Sequence, residues 1–215
     1  MSSILLKNCF YIFLSADEES RRGEDILIRE NRIVKIGADI VEPADRVIDC
    51  STFVVIPGFV NTHHHFYQTL TRNLPAVQNA ELFDWLVYLY EVWKHLDEEA
   101  VYYASMLAMA ELLKTGCTTS TDHHYVYPQN VSGVLMGAQF EAAAMSLSKK
   151  DGGLPPDNVV QTEDEILKDS ERVIQQYHDD RELAMRKIIL APCSPFSVTE
   201  TLMTATVQLA RQYGV

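Results

Sequence analysis

The sequence predicts an α/β chain in which a small β unit is followed by strands and helices that alternate as in a parallel sheet. Three observations predict it. Short apolar segments of period two fill the first 55 residues; the period then lengthens to that of amphipathic helices; and between those helices lie β-branched runs bounded by glycine or proline. Three consecutive histidines, His63, His64 and His65, fall where the first of the later strands ends.

Residues 4–14, 26–29, 33–36 and 47–49 read as strands. Glu30-Asn31-Arg32 lies between two alternating apolar segments and predicts a hairpin whose second strand ends at Gly37. So small a sheet buries little by itself and is expected to pack against other chain. Residues 53–60 form an apolar run leading directly into the histidines. Residues 82–95 and 98–115 predict two amphipathic helices, the second capped by Asp97 and stopped by Gly116. The threonine-rich residues 117–124 predict a strand ending in Asp122, His123 and His124. Residues 131–144 read as a helix, 146–157 as a loop with Gly152-Gly153 and Pro155-Pro156, and 162–178 as a helix with Thr162 at the cap and Glu165 completing a capping box. A strand over 187–191, closed by Pro192 and Pro195, and a helix over 199–213, stopped by Gly214, complete the reading.

Composition limits the function. A chain of 215 residues with 47% hydrophobic residues can bury a substantial core, which excludes disorder. The formal net charge of -12, without a basic stripe, argues against a nucleic-acid partner. Cys9, Cys50, Cys117 and Cys193 form no C-x-x-C pair and read as free thiols of a reducing compartment. No segment approaches the ~20 apolar residues of a membrane span, so a soluble cytoplasmic protein without a membrane partner is expected.

Side chains alternate along a strand, so His63 and His65 share one face while His64 points away, and two imidazoles at a strand end can grip one cation. A solvated loop cluster would read the same way, and two ligands do not complete the three or four that zinc takes. In parallel α/β folds ligand chemistry gathers at the carboxyl ends of strands, where His63, His65, Asp122, His123 and residues 192–196 all fall. Gln68 follows the pair closely, and its amide can both donate to and accept from a heterocycle edge; an exposed surface amide is the competing reading. Trp85 and Tyr90 could cover a ring, although aromatics at helical spacing are more often core. Cys193, between prolines and without a base, reads as structural. The loop over 146–156 lacks phosphate-loop spacing and is expected to shape a pocket mouth. The His-x-Glu with Pro-Cys-x-x-Cys signature of the other deaminase architecture is missing.

Pro57-Gly58-Phe59-Val60-Asn61-Thr62-His63-His64-His65, followed by Gln68 and Arg72, resembles the first metal-binding strand of the amidohydrolase superfamily. Asp84-Trp85-Leu86, Thr115-Gly116-Cys117-Thr118-Thr119 leading to Asp122-His123, Lys150-Asp151-Gly152-Gly153-Leu154-Pro155-Pro156 and Ala191-Pro192-Cys193-Ser194-Pro195-Phe196 extend the resemblance. Together they are similar to its 8-oxoguanine deaminase branch, close to hydroxyatrazine hydrolases and guanine deaminases. The resemblance implies a TIM (β/α)₈ barrel, present here as a partial barrel over residues 56–215, with residues 1–55 contributing to a composite β-sandwich.

It also implies one divalent metal ion, zinc first and iron as the alternative, with His63 and His65 among its ligands and Gln68 on a small heterocyclic substrate. The implied reaction is hydrolytic deamination of an oxidised purine or related N-heterocycle. A triazine hydrolase and a non-catalytic remnant are the alternatives. The family has roughly twice this length, so a third histidine ligand, a glutamate proton shuttle, a further histidine and a metal-binding aspartate would follow Val215, and the chain alone is expected to be inactive. Too few residues separate Phe140 from Ser146 for the usual third barrel strand, so that strand is either absent or improvised from nearby sequence. A half-barrel exposes sheet edges, and together with the family's habit this leads to the expectation of a homo-oligomer.

Overall fold

The computed structural model describes residues 2–124, 139–142, 146–153, 155, 157, 160–194 and 197–215. The chain divides into two compact units, Met1–Gly58 and Phe59–Val215.

In the first unit, β1 (Ser3–Lys7), β2 (Tyr11–Ile12), β3 (Asp25–Arg29), β4 (Arg32–Gly37), β5 (Arg46–Asp49) and β6 (Val54–Val55) form two sheets, one ordered β4-β3-β1-β5 and one pairing β2 with β6. The predicted hairpin joins β3 to β4, with Arg29 opposite Arg32 and Glu30 at φ +55° in the turn. Alternation sorts the side chains by face. Ile26 packs with Cys9, Ile12 and Cys50, while the neighbouring Leu27 packs with Leu5 and Ile40. Asp25, only 1% exposed, is held by Lys7 Nζ at 2.6 Å and by the backbone N–H groups of Asn8 and Ile40 at 2.8 Å.

The second unit is built on β7 (Phe59–Asn61), β8 (Cys117–His124), β9 (Gln139–Ala142) and β10 (Lys187–Leu190), a parallel sheet ordered β10-β9-β8-β7. The helices are α1 (Leu82–Trp93), α2 (Glu98–Lys114), α3 (Glu163–Tyr177) and α4 (Glu200–Tyr213). Their ends follow the sequence signals. Asp97 accepts from Ala100 N at 2.8 Å, Thr162 and Glu165 form the capping box, and Gly116 and Gly214 take positive φ beyond α2 and α4. A 3-10 turn, Phe66–Thr71, packs against α2. Tyr67, from that turn, joins Leu86, Leu89, Tyr90, Trp93 and Val101 in the main core. Among the described residues no helix is long and apolar enough to cross a membrane.

One expectation changes. The helix read over 131–144 is replaced by a strand at Gln139–Ala142, the remainder of that stretch lying outside the described residues. This segment ladders on both sides, Thr121 to His124 of β8 on one and Lys187 to Leu190 of β10 on the other. A two-sided ladder offers the segment's backbone groups partners on both sides and overrides a weak helical preference. The strand takes Gln139 and Phe140 together with Glu141 and Ala142, the first two residues of the short 141–145 stretch. Tyr90, at 1% exposure, takes the core position of the two readings left open for it.

Candidate functional site

The segment after β7 is shaped by its own short-range bonds. Asn61 Oδ1 accepts from His63 N at 3.3 Å, and Gln68 N donates to His65 O at 3.0 Å, so the chain turns into the 3-10 turn just past the histidines. The rings of His63 and His65 lie 5.1 Å apart, nearly perpendicular at 86°. Two imidazoles on a tetrahedral ion with metal–nitrogen bonds of about 2.0–2.1 Å have ring centres roughly 5 Å apart, so this spacing suits a shared cation.

The end of β8 fixes His65. Its Nδ1 is 2.7 Å from the carbonyl oxygen of His123. A carbonyl only accepts, so Nδ1 carries the proton and Nε2 keeps its lone pair, the arrangement a metal ligand requires. Burial pushes the His65 pKa down to about 4, outweighing the opposing pull of that carbonyl, so the ring is neutral near pH 7. His123 N donates to His64 O at 2.8 Å, and Asp122 Oδ1 accepts from Phe66 N at 2.8 Å. His124 is fully buried, its ring 5.0 Å from Tyr67 and its Nδ1 3.6 Å from Asp122 Oδ2.

A cavity of about 430 Å³ opens beside the pair, lined among others by His63, His65, Gln68, Arg72 and Trp85. Gln68 therefore lies on the cavity wall, its Nε2 donating to the Tyr67 hydroxyl at 3.2 Å. Trp85 lines the cavity whereas Tyr90 does not. His64, expected to point away, also reaches the wall because the strand ends at Asn61 before alternation could turn it aside; its ring lies against Phe66 at 5.0 Å and its pKa is lowered chiefly by burial. Arg72 forms a two-pronged ion pair with Glu111 at 2.6 and 3.1 Å on the rim. Sequence reasoning gave Arg72 no role; its place shortly after Gln68 was the only signal. No described residue of 146–157 lines the cavity; Ser146 N and Leu147 N donate instead to Ser197 O. Cys193 packs on the main core.

Among the described residues no group of three or more His, Cys, Asp or Glu side chains is placed to hold a metal ion. His63 and His65 fit such an ion as a partial donor set.

The model of the amidohydrolase family matches residues 54–215. The chain is 43% identical to the 8-oxoguanine deaminase of Pseudomonas aeruginosa, an alignment covering 100% of this chain and 51% of that one. It is 33% identical to the hydroxydechloroatrazine ethylaminohydrolase of Pseudomonas sp. strain ADP, over 90% of this chain and 45% of the relative. Its fold resembles that of the atrazine chlorohydrolase TrzN from Arthrobacter aurescens TC1 complexed with zinc, with a TM-score of 0.88, 24% identity, and 99% and 51% of the two chains covered. The chain spans about half the length of the curated relatives it matches.

Proposed function

This chain belongs to the amidohydrolase family, and on that premise we propose that it carries part of the active site of a metal-dependent hydrolase that deaminates an oxidised purine or a related nitrogen heterocycle. The carrying observation is the His63 and His65 pair on a cavity wall, 5.1 Å between ring centres, with Nε2 of His65 left as the basic nitrogen. These two residues would hold a divalent ion, zinc first and iron as the alternative. When bound, such an ion supplies hydroxide at neutral pH by lowering the pKa of its water to about 7. Gln68 would orient the substrate ring, since one amide both donates and accepts along a heterocycle edge. Trp85 offers it an aromatic wall.

The four parallel strands would be the first staves of a (β/α)₈ barrel, and Met1–Gly58 part of a composite β-sandwich. The identity to an 8-oxoguanine deaminase supports a purine substrate, and the similarity to a hydroxydechloroatrazine ethylaminohydrolase supports a triazine as the second reading. Returning a proton to the leaving amine needs a group not assigned among the described residues. Ammonia release by the chain alone is therefore expected at the level of an H63A control.

The test is calorimetric binding of an oxidised purine, a pterin and a triazine to the zinc-supplemented chain. Tightest binding of the purine, lost in Q68A, supports the proposal. Tightest binding of the triazine replaces it by the second reading. Equal affinity for all three, unchanged in Q68A, contradicts both.

A further inference from the structure

We propose that Asp122 is a positioning residue: from β8 it caps the turn that follows the histidines and thereby aims His65 at the metal. The inference rests on the proposed metal reading of His63 and His65. The first N–H groups of any helical turn lack intrahelical partners and need a cap. Here the residue in the cap position is His65, in extended conformation with φ -134°, and its side chain makes no capping bond. The acceptor comes from 56 residues away: Asp122 Oδ1 takes Phe66 N–H at 2.8 Å.

Two further bonds lie beside it. His123 N donates to His64 O, and His65 Nδ1 donates to His123 O. Three successive residues, His64, His65 and Phe66, are thus tied to two successive residues of β8. Of these three bonds, Asp122 supplies the one made by a β8 side chain. Alternation along β8 puts Asp122 with the buried Ser120 and His124, on the face opposite His123. Asp122 is 1% exposed and absent from the cavity wall, so it acts through the backbone at Phe66.

A carboxylate so deeply buried is costly unless hydrogen-bonded, and a bond to a charged acceptor is roughly twice as strong as a neutral one. Loss of the cap would free the 64–66 segment, loosen the 2.7 Å contact at His65 Nδ1 and let the ring leave its Nδ1–H form. Groups that orient a metal-binding histidine in this way affect affinity about 10–100-fold.

The experiment compares the 215-residue chain with D122A and D122N by zinc titration, and reads the tautomer of His65 by imidazole ¹⁵N NMR without metal. The expected result is a single Nδ1–H form in the parent and a tautomer mixture in D122A, with zinc affinity lowered about 10–100-fold. D122N, which retains an uncharged oxygen for Phe66 N–H, should lose less. Far-ultraviolet circular dichroism establishes folding; should D122A not fold, D122N decides by its own loss of affinity and its own tautomer shift. Parent-like affinity and a parent-like His65 tautomer in the folded variants would overturn the inference. A parent that takes up no zinc would instead defeat the metal reading, while the metal-free tautomer would still decide the role of Asp122.

Discussion

Asp25 and Asp122 are equally buried, each 1% exposed, yet their partners differ in kind. Asp25 in the first unit accepts from the Lys7 ammonium and from two backbone N–H groups. Burial alone would raise its pKa, but the Lys7 hydrogen bond, those two N–H groups and the Lys7 charge together hold the carboxyl below its usual value. Among the described residues, Asp122 in the second unit has one backbone N–H and a buried imidazole at 3.6 Å. A carboxylate with its own cation serves the sheet it sits in. A carboxylate whose bond goes to the residue after a candidate ligand serves the site. The partner inventory, not the burial, separates the two roles.

The contrast should break most visibly in D25A. That variant leaves a part-buried ammonium and two N–H groups without their acceptor, a loss of about 3–5 kcal/mol. Urea denaturation should show it, with zinc affinity of the folded fraction unchanged. A stability loss below about 1 kcal/mol, the range of an exposed ion pair, would mean that Asp25 is no more structural than Asp122.

Acid titration should sharpen the contrast. The folded pKa of Asp25 lies below the unfolded value of about 3.9, so its contribution is fully present above that value and is lost as pH falls through the folded one. The urea midpoint of the parent should drop from about pH 4 downward, and D25N should have a flatter profile there. Parallel profiles would remove Asp25 from the account.

The smallest effect is expected where a cap is local. Thr162 caps α3 from the adjoining residue, and T162A should cost about 1 kcal/mol in thermal unfolding. It should leave the tautomer of His65 and zinc uptake untouched. A shift in either would show that capping anywhere in the unit is felt at the site, and that Asp122 is not special.

The same distinction explains what could be read from the sequence. The Thr162 and Glu165 box, the Asp97 cap, the Glu30-Asn31 hairpin and the glycine stops are local in sequence, and each was legible because its physics acts within a few residues. His63 and His65 do lie side by side, but strand alternation is not the cause: β7 ends at Asn61, the histidines follow it, and His64 reaches the same cavity wall. Gln139–Ala142 was misread because its strand state is imposed by ladders from β8 and β10, both distant in sequence. Trp85 and Tyr90 sit on one helix at positions that sequence treats alike, and only packing separates the cavity wall from the core. The role of Asp122 depends on an N–H 56 residues away, which no local pattern encodes.

Zinc titration of the metal-free chain beside H65A tests the central claim most directly, because His65 is where the cavity, the neutral imidazole and the β8 contacts meet. The account predicts one zinc site per chain in the parent and none in H65A. Equal zinc uptake by the two chains would contradict it.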